Sequence, residues 1–387
     1  MMTNKNTRWL SILWFLINLS VIDGGTNFSP SLLKNRSVRG SITDIKNILI
    51  GHSSRSERPT GCTVILCNTT CVGGVDVRGS APGTRETDLL DPMNLVENVN
   101  AVVLSGGRAF GLDAASGVVR CLAEKNIGFS TRARPVPIVP AAVLYDLDVG
   151  NDSSIFPDAS LGYAACLSAN NSVSLEGNVG AGTGATIGKV FGIKQAMKAG
   201  LGSSSRTVYD ASRNTSVTVG AIVAVNALGD VYKNGKLLAG ARTADGKQLI
   251  NTVEVLIGDG HHSPDAQLPG SATTLACVIT DAKLTKVQAK KVSQMAHDGF
   301  ARAINPIHTM FDGDIVFTLA TGASTISDVN LIGLLAARVV EEAIVRAIEQ
   351  ATSLPDLPSV NDLKSSGQQR FPSPLTILLL LSNIFFM

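Results

Sequence analysis

The chain has 387 residues, 44% of them hydrophobic, and a formal net charge of +2. That is enough apolar content for a large core in one or two α/β domains, and 37 glycines point to tight turns and close backbone contacts rather than disorder. The near-neutral balance and the lack of a Lys/Arg-rich block exclude nucleic acid as a main partner.

Residues 1–25 read as a secretory signal peptide, with Lys5 and Arg8 ahead of an apolar run from Trp9 to Ile22 and then small residues. Secretion fits six sequons at Asn27, Asn35, Asn68, Asn151, Asn170 and Asn214, each followed two residues on by Ser or Thr. It also fits an even set of cysteines, Cys62, Cys67, Cys71, Cys121, Cys166 and Cys277, whose pairing the sequence leaves open. Cys67 and Cys71 lack the second half of a zinc site, so no metal is expected.

A short strand is predicted over 47–51, then a strand pair over 59–67 and 71–78, a loop over 79–88 and a buried strand over 101–104. Ser105-Gly-Gly turns a glycine corner into a helix reaching about Lys125, and an apolar run ends in Tyr145-Asp146. Gly180-Ala-Gly-Thr-Gly-Ala185 has the look of a dinucleotide fingerprint, and 184–189 that of a phosphate loop. The first lacks a preceding strand and an acidic partner, and the second has Thr183 and Val190 where Gly and Ser/Thr are needed. Both are rejected, and no cofactor is expected. Lys189 is the residue this glycine-rich backbone presents, although a surface lysine is the plainer reading by itself.

A clean strand over 217–226 precedes the stretch on which the chemistry is placed. Pro269-Gly270 is a turn signal, Ser271 and Ala272 are small, and 273–280 reads as a β-branched strand. A hydroxyl therefore sits where a loop enters a buried strand, positioned to attack the carbonyl of Ala272 in an N-to-O acyl shift. Hydrolysis of the resulting ester frees the α-amine of Thr273, whose ordinary pKa of about 8 suits it to take the proton from its own hydroxyl. Taken alone, this segment also reads as an ordinary strand with two threonines. A helix over 283–304, a strand over 315–319 and a capped helix over 328–351 follow. Ser365-Ser366-Gly367, a polar spacer and an apolar tail have the layout of a glycosylphosphatidylinositol signal, attached at Ser365 or Ser366 and removed over 366–387.

Several stretches together resemble the L-aminopeptidase/D-esterase (DmpA) family, which includes β-peptidyl aminopeptidases and nylon-oligomer hydrolases. They are Pro59-Thr-Gly-Cys-Thr, Asp76-Val-Arg-Gly-Ser-Ala-Pro-Gly-Thr-Arg-Glu-Thr-Asp88, Ser105-Gly-Gly-Arg-Ala-Phe-Gly-Leu-Asp-Ala-Ala-Ser-Gly117, 180–189, Thr273-Thr274 and Asp312-Gly-Asp314. The resemblance runs from about 47 to 350. It implies a self-cleaving N-terminal-nucleophile hydrolase with a four-layer α/β/β/α sandwich shared by a larger fragment, 26–272, and a smaller one, 273–365. It also implies a site made of Thr273, Lys189, Asn226, Tyr145, Asp312 and Asp314, and an oligomer of cleaved protomers. Lys189 would keep the Thr273 amine neutral, and Asn226 would donate to an oxyanion. Tyr145 would add a donor or orient substrate. Asp312 and Asp314 would share a face and hold Lys189 and the amine if a strand begins there.

The reading is an aminopeptidase-like hydrolase of small peptides or amides, lipid-anchored outside the cell. Acyl transfer of the ornithine-acetyltransferase type, or a silent anchored binding ectodomain, are its rivals.

Overall fold

The computed structural model describes residues 40–212, 214–258 and 271–365. The signal-peptide segment, Asn27, Asn35 and the 366–387 signal lie outside these residues, while Ser365 closes the last described helix. In chain order the strands are β1 (Ile48–Ser54), β2 (Gly61–Val77), β3 (Thr84–Arg85), β4 (Asn98–Ser105), β5 (Ala141–Val143), β6 (Thr186–Ile187), β7 (Met197–Lys198), β8 (Leu201–Asp210), β9 (Thr215–Asn226), β10 (Asp230–Lys233), β11 (Lys236–Ala239), β12 (Thr273–Ala282), β13 (Ile304–Asn305) and β14 (Ile315–Ser324). The α-helices are α1 (Ala114–Glu124), α2 (Ala159–Ser168), α3 (Thr252–Gly258), α4 (Lys286–Ala303), α5 (Val329–Glu349) and α6 (Val360–Ser365).

The main sheet runs β3-β5-β4-β2-β14-β12-β9-β8, with β1 paired to β2. Its central strand β12 is parallel to β14 and antiparallel to β9, and nearly every residue of it is buried. Such a strand must read as a continuous apolar run, as 273–280 does. Alternation along β2 serves two cores: Cys62, Val64 and Leu66 pack with α1 and α2, while Ile65 and Cys67 join the larger core that includes α4 and α5. This is the expected layered α/β sandwich, with helices packed against strands in both cores.

The two long helices start where their caps dictate. Asp328 accepts the N–H groups of Asn330 (2.9 Å) and Leu331 (3.3 Å) ahead of α5, and Thr285 with Gln288 forms a reciprocal capping box on α4. The strand pair expected over 59–78 is instead the single strand β2. Asn68-Thr-Thr has the look of a turn, yet it forms an exposed bulge in the β2–β4 pairing, closed by the Cys67–Cys71 disulfide. A second disulfide, Cys121–Cys166, ties α1 to α2, and Cys62 and Cys277 are free and buried. Among the described residues no helix is long and apolar enough to cross a membrane.

One buried ion pair anchors the loop that leads to the site. Arg58 Nη2 lies 2.9 Å from Asp146 Oδ1, with both side chains fully buried. Arg58 also donates to the carbonyls of Val149 (3.1 Å) and Ile155 (2.7 Å), while Asp146 accepts Thr60 Oγ1 (2.7 Å) and the Gly107 N–H (2.8 Å). Every polar atom of the pair is thus spoken for, which is the condition for burying two charges. Removing one partner strands the other, so Arg58→Met is expected to cost about 3–5 kcal/mol in a urea titration; a cost under about 1 kcal/mol would show that the pair holds nothing.

Candidate active site

Thr273 is the first residue of β12, paired across the sheet with Asn226 at the end of β9. It is 1% exposed, and Ala272 before it is fully buried. The Thr273 hydroxyl donates to the carbonyl oxygen of Ala272 at 2.5 Å. That same oxygen accepts the N–H of Gly313 at 3.0 Å, through a parallel bridge between Ala272 and Asp312. A Cβ on Gly313 would stand 2.8 Å from Thr273 Oγ1 and 2.6 Å from the Ala81 carbonyl, so only glycine brings this amide so close to the hydroxyl. One residue on, the N–H of Thr274 donates to Asp314 Oδ1 at 2.6 Å. The turn Asp312-Gly-Asp314 therefore grips the strand on both sides of the Thr273 side chain.

Lys189 approaches from the other direction. Gly188 has φ +69, and a Cβ there would meet the Ala241 nitrogen at 2.0 Å, so the backbone ahead of Lys189 needs glycine. The lysine is 7% exposed, and its Nζ donates to Asn226 Oδ1 (2.8 Å), the Asn226 carbonyl (3.1 Å) and the Ser271 carbonyl (2.9 Å). Ser271 is one peptide unit before the Ala272 carbonyl. Burial pulls the Lys189 pKa down to about 7, against the opposing pull of Asp312. A large share of this lysine is therefore neutral near pH 7.

The partners of the other expected site residues are as follows. Asn226 does not aim its amide at an oxyanion: its Nδ2 donates to the Tyr145 carbonyl at 2.8 Å and its Oδ1 accepts Lys189 and the Thr186 N–H (3.0 Å). Its work is to orient the lysine, and the donor beside the Ala272 carbonyl is the Gly313 N–H. Tyr145 turns its phenol to Asp148 at 2.7 Å, and burial with that carboxylate pushes its pKa up to about 12. Asp312 and Asp314 precede β14 rather than begin it. Asp312 accepts Thr309 Oγ1 (2.5 Å), the Thr309 N–H (2.9 Å) and the Leu228 N–H (3.4 Å). Burial and the neighbouring Asp314 raise its pKa to about 6. Neither carboxylate bonds Lys189; Asp312 acts on it through space.

Tyr145, Asp146, Asp148, Thr186, Lys189, Ile193 and Ser271 line a cavity of about 30 Å³, room for a single water. Sequence reasoning missed Gly313, Asp148 and His297; His308, set aside in the sequence as a catalytic base, pairs with His297 behind Asp314. The Asp-Gly-Asp spelling was legible, but attention went to its acids rather than to the amide between them. The glycine-rich decoy proves to be a 3-10 turn, Gly180–Gly182, held by the buried Lys198 through the carbonyls of Gly182 (2.9 Å) and Ala185 (3.1 Å).

Among solved structures, the L-aminopeptidase D-Ala-esterase/amidase of Ochrobactrum anthropi, described as a variant of the Ntn hydrolase fold, superposes with a TM-score of 0.61 at 21% identity, covering 86% of this chain and 97% of that one. A Burkholderia sp. beta-aminopeptidase superposes with a TM-score of 0.60 at 20% identity, over 86% of this chain and 96% of that one. These likenesses show the fold. An uncharacterized aminopeptidase of Mycobacterium leprae is 41% identical over 298 residues, 73% of this chain and 79% of that protein. A 6-aminohexanoate-oligomer endohydrolase of Kocuria sp. is 28% identical over 280 residues, 72% of this chain and 74% of that protein. The family model described as Peptidase family S58 matches residues 40–358, which takes in the gripped threonine, the buried lysine and the Asp-Gly-Asp turn, and the chain belongs to that family.

Proposed function

We propose that the chain cuts itself between Ala272 and Thr273 and then hydrolyses small peptides or amides through an acyl ester on Thr273. The observation that carries this reading is the Ala272 carbonyl, held between the Thr273 hydroxyl at 2.5 Å and the Gly313 N–H at 3.0 Å in a buried setting. In the first step Thr273 Oγ1 bonds to the Ala272 carbonyl carbon while the Gly313 N–H steadies the charge that builds on the oxygen. The Ala272–Thr273 amide bond breaks, and the hydroxyl proton ends on the nitrogen. Water then cleaves the ester, leaving a carboxylate on Ala272 and a free amine on Thr273.

In the second role that amine takes the proton from Thr273 Oγ1 as the hydroxyl attacks a substrate carbonyl, and the Gly313 N–H, vacated by Ala272, receives the substrate oxygen. Water releases the acyl group. Before the cut, Ser271 lines the cavity of about 30 Å³ beside Lys189. Peptides and amides are the proposed substrates because the relatives bear the names aminopeptidase and 6-aminohexanoate-oligomer endohydrolase. The two disulfides, and the exposed placing of Asn68, Asn151, Asn170 and Asn214, support secretion as a glycoprotein. The lipid anchor and the oligomer rest on the sequence alone.

Mass spectrometry and N-terminal sequencing of the purified protein are expected to find a fragment beginning at Thr273, and Thr273→Ala to give one uncut, inactive chain. Cutting that persists in Thr273→Ala would remove Thr273 from the reaction.

Lys189 supplies a second test. The share of Lys189 that stays charged near pH 7 disfavours a second positive charge on the Thr273 amine, so the acid limb of kcat/KM should fall below the usual α-amine value of about 8. Lys189→Met is expected to move that limb up toward about 8 and to lower kcat/KM by roughly a hundredfold. An unmoved limb would take Lys189 out of this role.

A further inference from the structure

Behind the Asp-Gly-Asp turn lies a chain of ring nitrogens that the proposed reaction does not use. Asp314 Oδ2 accepts both the backbone N–H of His308 (3.1 Å) and its Nδ1 (2.8 Å). His308 Nε2 is 3.2 Å from His297 Nδ1, and His297 Nε2 is 3.1 Å from the Asp76 carbonyl oxygen and 3.5 Å from Asp76 Oδ2. His297 is 1% exposed, on α4. His308 has φ +59, a sparsely populated conformation for a residue with a side chain, and it turns both its donors onto one carboxylate oxygen.

The partners fix the proton count. The Asp76 carbonyl is an acceptor only, so His297 Nε2 carries a proton. The 2.8 Å contact between His308 Nδ1 and Asp314 Oδ2 needs a second. The 3.2 Å contact between the rings needs a third, on one of its two nitrogens. Three protons on two imidazoles make the pair a single cation. Burial opposes charge on His297, pushing its pKa down to about 4.

We propose that His308 is a positioning residue for the nucleophile: as a member of a proton-sharing pair with His297, it holds the Asp314 carboxylate aimed at the Thr274 N–H, fixing the start of β12. The proposal rests on the reading of Thr273 as nucleophile. The charged groups that face the pair are Asp314 and Asp312 on the turn before β14, and Asp76 and Arg78 on and just beyond β2, the latter two bonded to each other at 2.8 Å. Lys189 lies beyond Asp312. Phe300 packs against both rings, at centroid distances of 5.3 Å from His297 and 6.0 Å from His308, and offers no competing polar group.

The experiment has two arms. The full-length Thr273→Ala chain, labelled with 15N-histidine, is expected to show one ring with both nitrogens protonated at neutral pH, and that signal should vanish in Thr273→Ala/His308→Asn. Two neutral rings on His297 and His308 from about pH 5 to pH 9 would overturn the proposal. This arm needs no processing, so it stands even if the chain never cuts itself. In the second arm, self-cutting is timed against pH in the wild type and in His308→Asn, whose amide keeps a donor for Asp314 but cannot carry the charge. The wild type should lose rate on the alkaline side as the pair gives up its proton, while His308→Asn should be about tenfold slower at its best and lack that limb. Equal profiles and rates would overturn the proposal, as would a His308→Asn profile that keeps the limb. If His308→Asn fails to fold, the labelled Thr273→Ala chain decides alone, with His297→Asn used for assignment.

Discussion

The site depends on a parallel bridge between Ala272 and Asp312, which brings two segments of chain into register at the mouth of the sheet. From it follow the Gly313 amide on the Ala272 carbonyl and the Asp314 carboxylate on the Thr274 amide, so a single three-residue turn fixes the backbone on both sides of the reactive hydroxyl. Such a grip costs two buried carboxylates. Each is offset by several donors, which is why the turn can persist in the core.

Lys189 and Asn226 form the opposing wall. A lysine in this setting gives up much of its charge because the surroundings cannot solvate it, and the carbonyls of Asn226 and Ser271 stand in for water only in part. Asn226 completes that substitution from the end of β9 and passes the constraint on to the Tyr145 loop through its Nδ2. The Arg58 to Asp146 pair fixes that loop from beneath. The candidate site is thus built on strand ends and braced loops rather than on a free loop.

The entry of a loop into a buried strand at Thr273 was legible because a turn signal, small residues and a β-branched run fall together at 269–280. The layered fold was legible too, through strand and helix patterns on either side of that point and through the family's motifs. What side chains do with one another was not. Asn226 finds partners 81 and 40 residues away, and no spacing rule tells which end of its amide meets which. Strand β8 carries Ser203-Ser204-Ser205, which no apolar run marks in the sequence; in the fold these side chains are buried, with Ser204 bonded to Glu342 at 3.0 Å and Ser205 to Asp44. The histidine pair is equally silent in sequence, since His297 sits on a helix and His308 in a loop and only folding brings them together.

The order of strands in the main sheet has a consequence for the life of the processed protein. β12 and β14 both follow Thr273, yet they lie between β2 and β9, which both precede it. A cut before Thr273 would therefore leave the smaller fragment's neighbouring strands β14 and β12 wedged between two groups of the larger fragment's strands. Folding is unimolecular only while the chain is whole; afterwards recovery from denaturation becomes an encounter between two partners, dependent on their concentration. Maturation would act as a ratchet, converting a reversible folder into an assembly held together by the slowness of its own disassembly.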